Sequence, residues 1–155
     1  MTIVIDVPGD PVAQPRAKAS TVRNGAGALV IKNGRPVIRM YTSNTAEKWK
    51  RRIHVLAMQK RPREVHTGAV RVDIKVYFAR PQRLLKASSP AGPIPHIVTP
   101  DKDNLEKAVL DAIKGAGIWK DDCQVYAGEL QKYYVAKGFD PGARIEITLI
   151  EEIAN

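Results

Sequence analysis

The stretch AVRVDIKVYF, residues 69–78, alternates without a break. Val70, Val72, Ile74, Val76 and Phe78 fall on one side of an extended chain, and Arg71, Asp73, Lys75 and Tyr77 on the other, so the segment reads as a strand with one face turned to a core. Upstream the period changes. Ser43 or Asn44 is placed to cap a helix that runs to about Lys60 and stops before Pro62. Trp49, Ile53, Leu56 and Ala57 share one face of it, with Lys48, Lys50, Arg51 and Arg52 around the rest. Downstream, residues 80–98 form a Pro- and Ser-rich connection with Arg83, Lys86 and His96 and no period. A loop that long in a small domain is functional or mobile, and mobility without substrate is the expectation. His96 has no partner in sequence and is not read as a ligand. A second helix follows from Asp103 to about Lys114, apolar at Leu105, Ala108, Val109, Ala112 and Ile113 and ended by Gly115 and Gly117.

Further out, Thr2 to Val7 reads as a first strand ended by Pro8-Gly9, and Asp10 to Gly27 as a basic loop with Gln14, Arg16, Lys18 and Arg23. Leu29–Ile31 and Pro36–Tyr41 flank Asn33-Gly34, the signature of a tight hairpin. Val125 to Val135 reads as a strand, residues 137–142 as a turn, and Arg144 to Ile150 as a closing strand with Ile145, Ile147 and Leu149 inward. The expected fold is α+β: one domain over residues 1–155, a mixed or antiparallel sheet packed by two main helices, with long loops near 10–27 and 80–98.

The chain has 155 residues, 44% of them hydrophobic, enough for a core and too apolar for a disordered chain. Its one cysteine, Cys123, excludes an internal disulfide and suggests a reducing compartment. No apolar run is long enough to span a membrane, and MTIVIDVPGD does not read as a signal peptide, so a cytoplasmic protein without a membrane partner is expected. The net charge of +9 is unevenly spread. Residues 1–100 carry 18 Lys and Arg against 5 Asp and Glu; residues 101–155 carry 7 against 11. A basic framework around an acidic cluster suits a polyanionic substrate and a bridging cation.

The acidic cluster is TPDKDNLEKAVLDAIKGAGIWKDDC, residues 99–123. Helical steps of four place Asp103, Lys107 and Asp111 on one side, and Asp101 reaches the same point from an extended lead-in after Pro100. Asp121 or Asp122 joins if the Gly-containing connection folds back along the helix. Two carboxylates about 4 Å apart repel by roughly 4 kcal/mol at an effective dielectric of ~20, so such a cluster needs a proton, a cationic neighbour or a metal. Oxygen ligands with room for water favour Mg²⁺, with Mn²⁺ as a substitute, and the lack of a Cys/His set argues against zinc. Each piece also has a structural reading: helix-N-terminal acids at Asp101 and Asp103, a surface pair at Lys107 and Asp111, a polar turn at Asp121-Asp122.

Pro100 to Ala112 (PDKDNLEKAVLDA) followed by Gly117 to Val125 (GIWKDDCQV) resembles the RusA family of Holliday junction resolvases. The pattern D-x-D-N-L-x-K-x-x-x-D-A, then W-x-D-D-x-Q-V, spans about 25 residues, with weaker agreement at Pro8-Gly9 and the last two strands. The resemblance implies a small, dimeric, Mg²⁺-dependent endonuclease that cuts four-way DNA junctions symmetrically, of a kind often carried by phages and prophages. It implies Asp101, Asp103 and Asp122 as metal-binding catalytic acids and Lys107 as the catalytic lysine, with Asp111 and Asp121 in supporting places. Arg16, Lys18, Arg51 and Lys86 are candidate DNA contacts. Two other classes stay open on the residues alone. One is a junction-binding module whose acids are structural; the other is a Mg²⁺-dependent phosphohydrolase of small nucleotides, for which the basic framework is excessive and no P-loop is present.

Overall fold

The computed structural model describes residues 1–151, so the last four residues of the expected domain lie outside it. In chain order the elements are β1 Thr2–Pro8, β2 Lys18–Thr21, β3 Ile31–Lys32, β4 Arg35–Pro36, β5 Ile38–Tyr41, α1 Glu47–Gln59, β6 Val70–Phe78, β7 Ile94–Pro95, α2 Lys102–Lys114, β8 Val125–Ala127, β9 Leu130–Tyr134 and β10 Gly142–Leu149. The main sheet runs β1-β10-β6-β9-β7, with β8 also on β6. It is mixed, as expected. β6 is antiparallel to β10 and parallel to β8 and β9, while β1 lies antiparallel on β10.

The alternating segment sits in the middle of that sheet, and its parity sets both faces. Val70, Val72, Ile74 and Val76 are buried, in register with Ile145, Ile147 and their neighbours on β10 and with Leu130 on β9. Ile3, Ile5 and Val7 extend the apolar face onto β1. Both helices cover it. Trp49, Ile53 and Ala57 come from α1, and Leu105, Ala108, Val109, Ala112 and Ile113 from α2. The opposite face is polar: Arg71 holds Asp73 at 2.6 Å, and Arg144 holds Glu146 at 2.9 Å and Asp6 at 3.3 Å.

Four details depart from the sequence reading. The basic loop 10–27 contains a strand, β2, which pairs with β5 far along the chain. The α1 cap is Ala46 without a side-chain hydrogen bond; the Ser43 hydroxyl turns to the Thr45 amide instead, and the Asn44 carbonyl takes the Glu47 amide. The strand expected at 125–135 is broken at Gly128-Glu129. Gly128 has φ +149°, and a Cβ there would overlap the Val72 backbone, while the Glu129 amide is held by Asp73 at 3.1 Å. The 80–98 connection has little regular structure but is tied down. The Arg80 guanidinium is buried and donates to the carbonyls of Val135, Leu84, Pro90, Ala91 and Gly92, and Lys137 holds those of Lys86 and Ser89.

The outer edge of β1 is closed by α1. Arg52 donates to the Pro8 carbonyl at 2.6 Å and Lys60 to that of Val4. The opposite edge, β7, is two residues long and ends in Pro95.

Candidate active site

The acidic stretch is built around α2. Asp101 is the residue before the helix, in extended backbone (φ −68°, ψ 147°), and Asp103 lies in the first turn, where the positive end of the helix dipole favours a carboxylate. Neither carboxylate caps the helix; both reach out to Arg16. Its Nη2 lies 3.5 Å from Asp101 Oδ2 and 3.9 Å from Asp103 Oδ2, with the two acid side chains 59% and 73% exposed. Arg16 arrives there because the 10–27 segment docks on the helix start, where the Gln14 amide donates to the Asn104 carbonyl at 2.9 Å.

The lead-in to Asp101 is fixed from the sheet. Lys132 on β9 donates to the carbonyls of Val98 at 2.8 Å and Pro100 at 2.7 Å. Beside it, His96 is only 7% exposed, stacked on Phe78 (ring centroids 4.2 Å apart) with Tyr134 tilted against it (4.6 Å). Burial, and next the Lys132 charge, hold its pKa below the ordinary histidine value. Lys132 thus positions the acidic segment, a role the sequence did not indicate. A lysine on a strand carries no local sign of it.

Asp122 lies beyond α2 and meets the opposite end of that helix. Its Oδ2 is 2.9 Å from Lys114 Nζ, on the last residue of α2, whereas the Arg16 pair sits at the first turn; a helix of 13 residues is roughly 18 Å long. Asp122 raises the pKa of Lys114 through that bond. Asp122 Oδ1 is buried and has no donor among the described residues. Asp121 caps the short helical turn that follows: its Oδ1 accepts from the Cys123 amide at 3.0 Å, which holds its pKa below the usual carboxylate value. Gln124 completes the turn. Its Oε1 accepts from the Lys120 and Asp121 amides and its Nε2 donates to the carbonyls of His66 and Gly68.

The structure therefore brings Asp101 and Asp103 together, and keeps Asp122 and Asp121 on a separate turn. Among the described residues no three acidic, His or Cys side chains gather as a metal site. Lys107 and Asp111 are exposed on the helix, one and two turns beyond Asp103. Lys18, Arg51 and Lys86 are also exposed. The Asp101–Asp103 pair fits a hard divalent cation: two oxygen donors already share one positive group and have open solvent for water ligands. The unpartnered Asp122 oxygen is the same kind of donor.

Comparison with known proteins bears on this stretch. The family model described as endodeoxyribonuclease RusA matches residues 8–149. A Bacillus subtilis (strain 168) protein, uncharacterized protein YqaN, is 32% identical over 137 residues, covering 85% of this chain and 87% of that one. The crossover junction endodeoxyribonuclease RusA of Escherichia coli (strain K12) is 45% identical over 51 residues, 33% of this chain and 39% of that protein. Its counterpart from Enterobacteria phage 82 matches to the same extent.

Proposed function

Because this chain belongs to the RusA family of endodeoxyribonucleases, we propose that it is a homodimeric, Mg²⁺-dependent endonuclease that resolves four-way DNA junctions by paired symmetric phosphodiester cuts. The observation that carries the reading is the Asp101–Asp103 pair at the head of α2, converging on one cationic group inside a strongly basic framework.

In this reading Asp101 and Asp103 hold the cation and Asp122 completes the set. For that, Asp122 must leave Lys114, an exposed pair worth about 0–1 kcal/mol, and the connection that carries it, residues 115–122, must swing back along α2 toward the head of the helix. Mg²⁺ bound there, or Mn²⁺ in its place, would supply an activated water and charge neutralisation at the phosphate. The chain's own residues do the rest. Arg16, displaced from the two carboxylates, turns to a phosphate oxygen. Lys107, one turn along the same helix side, faces the developing negative charge. Asp111 and Asp121 support the helix face and the turn, and Lys132 keeps the Asp101 lead-in at its place. Lys18, Arg51 and Lys86 add phosphate contacts. Two copies related by a two-fold axis match the symmetry of two equivalent cuts.

The test is cleavage of a labelled synthetic four-way junction by the wild type and Asp103→Asn, with Mg²⁺ or EDTA. The expected result is paired symmetric cuts that need Mg²⁺ and fall at least about a hundredfold in the variant, since a metal supplies several kcal/mol to the transition state, with junction binding retained. Binding without cutting in both Mg²⁺ and Mn²⁺ would replace this reading with a non-catalytic junction binder.

A further inference from the structure

Residues 16–45 take no part in the core. Among the described residues this span has no buried side chain, and only Val22, Val30 and Val37 are half-covered. What orders it is backbone hydrogen bonding. β2 pairs with β5, β3 turns back onto β4, and the three valines close the junction: the Val22 amide donates to Val37 at 2.8 Å, Val30 to Val22 at 2.9 Å and Val37 to Val30 at 2.9 Å. A two-stranded ribbon without an apolar backing is marginal in water. This one therefore gains from lying against something.

Its charge says what. Between residues 16 and 45 there are six basic residues (Arg16, Lys18, Arg23, Lys32, Arg35 and Arg39) and no acidic one. The pairing register sorts the ribbon into two faces. Lys18 stands opposite Tyr41 and Ser20 opposite Arg39 on one; Ala19 opposite Met40 and Thr21 opposite Ile38 on the other. The first face has two cations, a hydroxyl and a phenol, a set that contacts phosphates, sugars and base edges. A two-stranded ribbon also fits the DNA major groove, about 12 Å wide. The ribbon starts at the acidic pair, because Arg16, two residues before β2, is the residue that bridges Asp101 and Asp103.

We infer that residues 18–41 form an arm that grips one DNA duplex beside the acidic pair, with Lys18, Ser20, Arg39 and Tyr41 turned to the groove. The inference rests on the nuclease reading and gives it a division of labour: the arm supplies affinity and the head of α2 supplies chemistry. A second copy of this chain is the rival occupant. It would sit on the other face, where Ile38 and Met40 are 62% and 63% exposed, but two such arms carry the same charge and repel.

The experiment uses the full chain and a fluorescent four-way junction in EDTA, with anisotropy titrations over a series of salt concentrations. The arm variant is Lys18→Ala with Arg39→Ala. The control is Lys75→Ala with Arg63→Ala, which removes the same charge from exposed positions outside the arm. The arm variant is expected to bind roughly tenfold more weakly and to lower the salt slope by about 2, the signature of two lost phosphate contacts. Affinity and slope equal to the control would overturn the inference. So would light scattering showing that Ile38→Ser with Met40→Ser changes the mass of the protein while leaving junction affinity intact, because the arm would then be a contact between copies. The two readings fail separately. A wild type that binds but never cuts removes the nuclease and leaves the arm, whereas a cutting enzyme indifferent to the arm variant does the reverse.

Discussion

His96 and Lys132 lie side by side next to the lead-in to the acidic pair, and each makes a distinct prediction. His96 is buried with its Nδ1 unpartnered among the described residues, and burial depresses its pKa. The unfolded chain takes up that proton near the ordinary histidine value of about 6.5, while the folded chain resists it to lower pH. The unfolded state thus binds more protons in that window, so stability is full above about pH 6.5 and declines as pH falls toward the lowered folded value. Thermal melts from pH 7.5 down to 5, values set around that ~6.5 midpoint, are expected to show this decline in the wild type and a smaller one in His96→Phe, which keeps the stack on Phe78 and the contact with Tyr134. Parallel curves would rule the mechanism out. Lys132→Met removes the tethers on Val98 and Pro100. It is expected to slow cutting at saturating junction by roughly tenfold to a hundredfold, the scale of a misplaced catalytic group, without changing junction affinity. Lys132→Arg, which can still donate to both carbonyls, should recover part of that rate. An equal loss in binding would make Lys132 a DNA contact instead.

At the scale of elements, the 80–98 connection is the informative case. Its composition suggests mobility, yet Arg80 alone donates to five of the carbonyls that hold it against the molecule. Arg80→Met leaves the buried Val135 carbonyl and the half-buried Leu84 carbonyl without this donor and is expected to cost about 3 kcal/mol in urea unfolding. Limited proteolysis should then cut first between residues 80 and 98; a variant as resistant as the wild type would show that Lys137 suffices. The elements legible in the sequence were those whose signal is local. They include the strict alternation of β6, the apolar stripe of α2, the Asn33-Gly34 turn and the paired acids at the head of a helix. What was not legible depends on distant chain. β2 is recognised by β5 rather than by its own KAST. The break between β8 and β9 follows from the approach of Gly128 to Val72 and of Asp73 to Glu129. Arg16 meets Asp101 across 85 positions. Asp122 meets Lys114 through a turn whose direction is set by Gln124 and the 66–68 backbone. Spacing gave the candidate acids; it held no information on which of them fold together.

For the whole molecule, the uneven charge predicts strong salt dependence. A protein that neutralises several phosphates loses orders of magnitude in affinity between low and physiological salt, so junction binding flat across that range would remove the basic framework from the mechanism. The proposed pairing of two copies predicts a dimer mass by light scattering at the concentrations where cutting occurs, and a monomer mass there would exclude it. The closed margins of the sheet add one more consequence. Arg52 and Lys60 occupy the Pro8 and Val4 carbonyls on the outer side of β1, and the strand at the other side has two residues and ends in proline, so both borders are short of free backbone groups for another chain. The central strand β6 is the kind of apolar alternating segment that feeds fibril growth once a sheet can be lengthened from its rim. Two long basic side chains, one on α1 and one just past its end, thus act as guards against polymerisation. Their joint replacement by alanine should turn a chain that stays clear at high concentration into one that precipitates as thioflavin-positive aggregate.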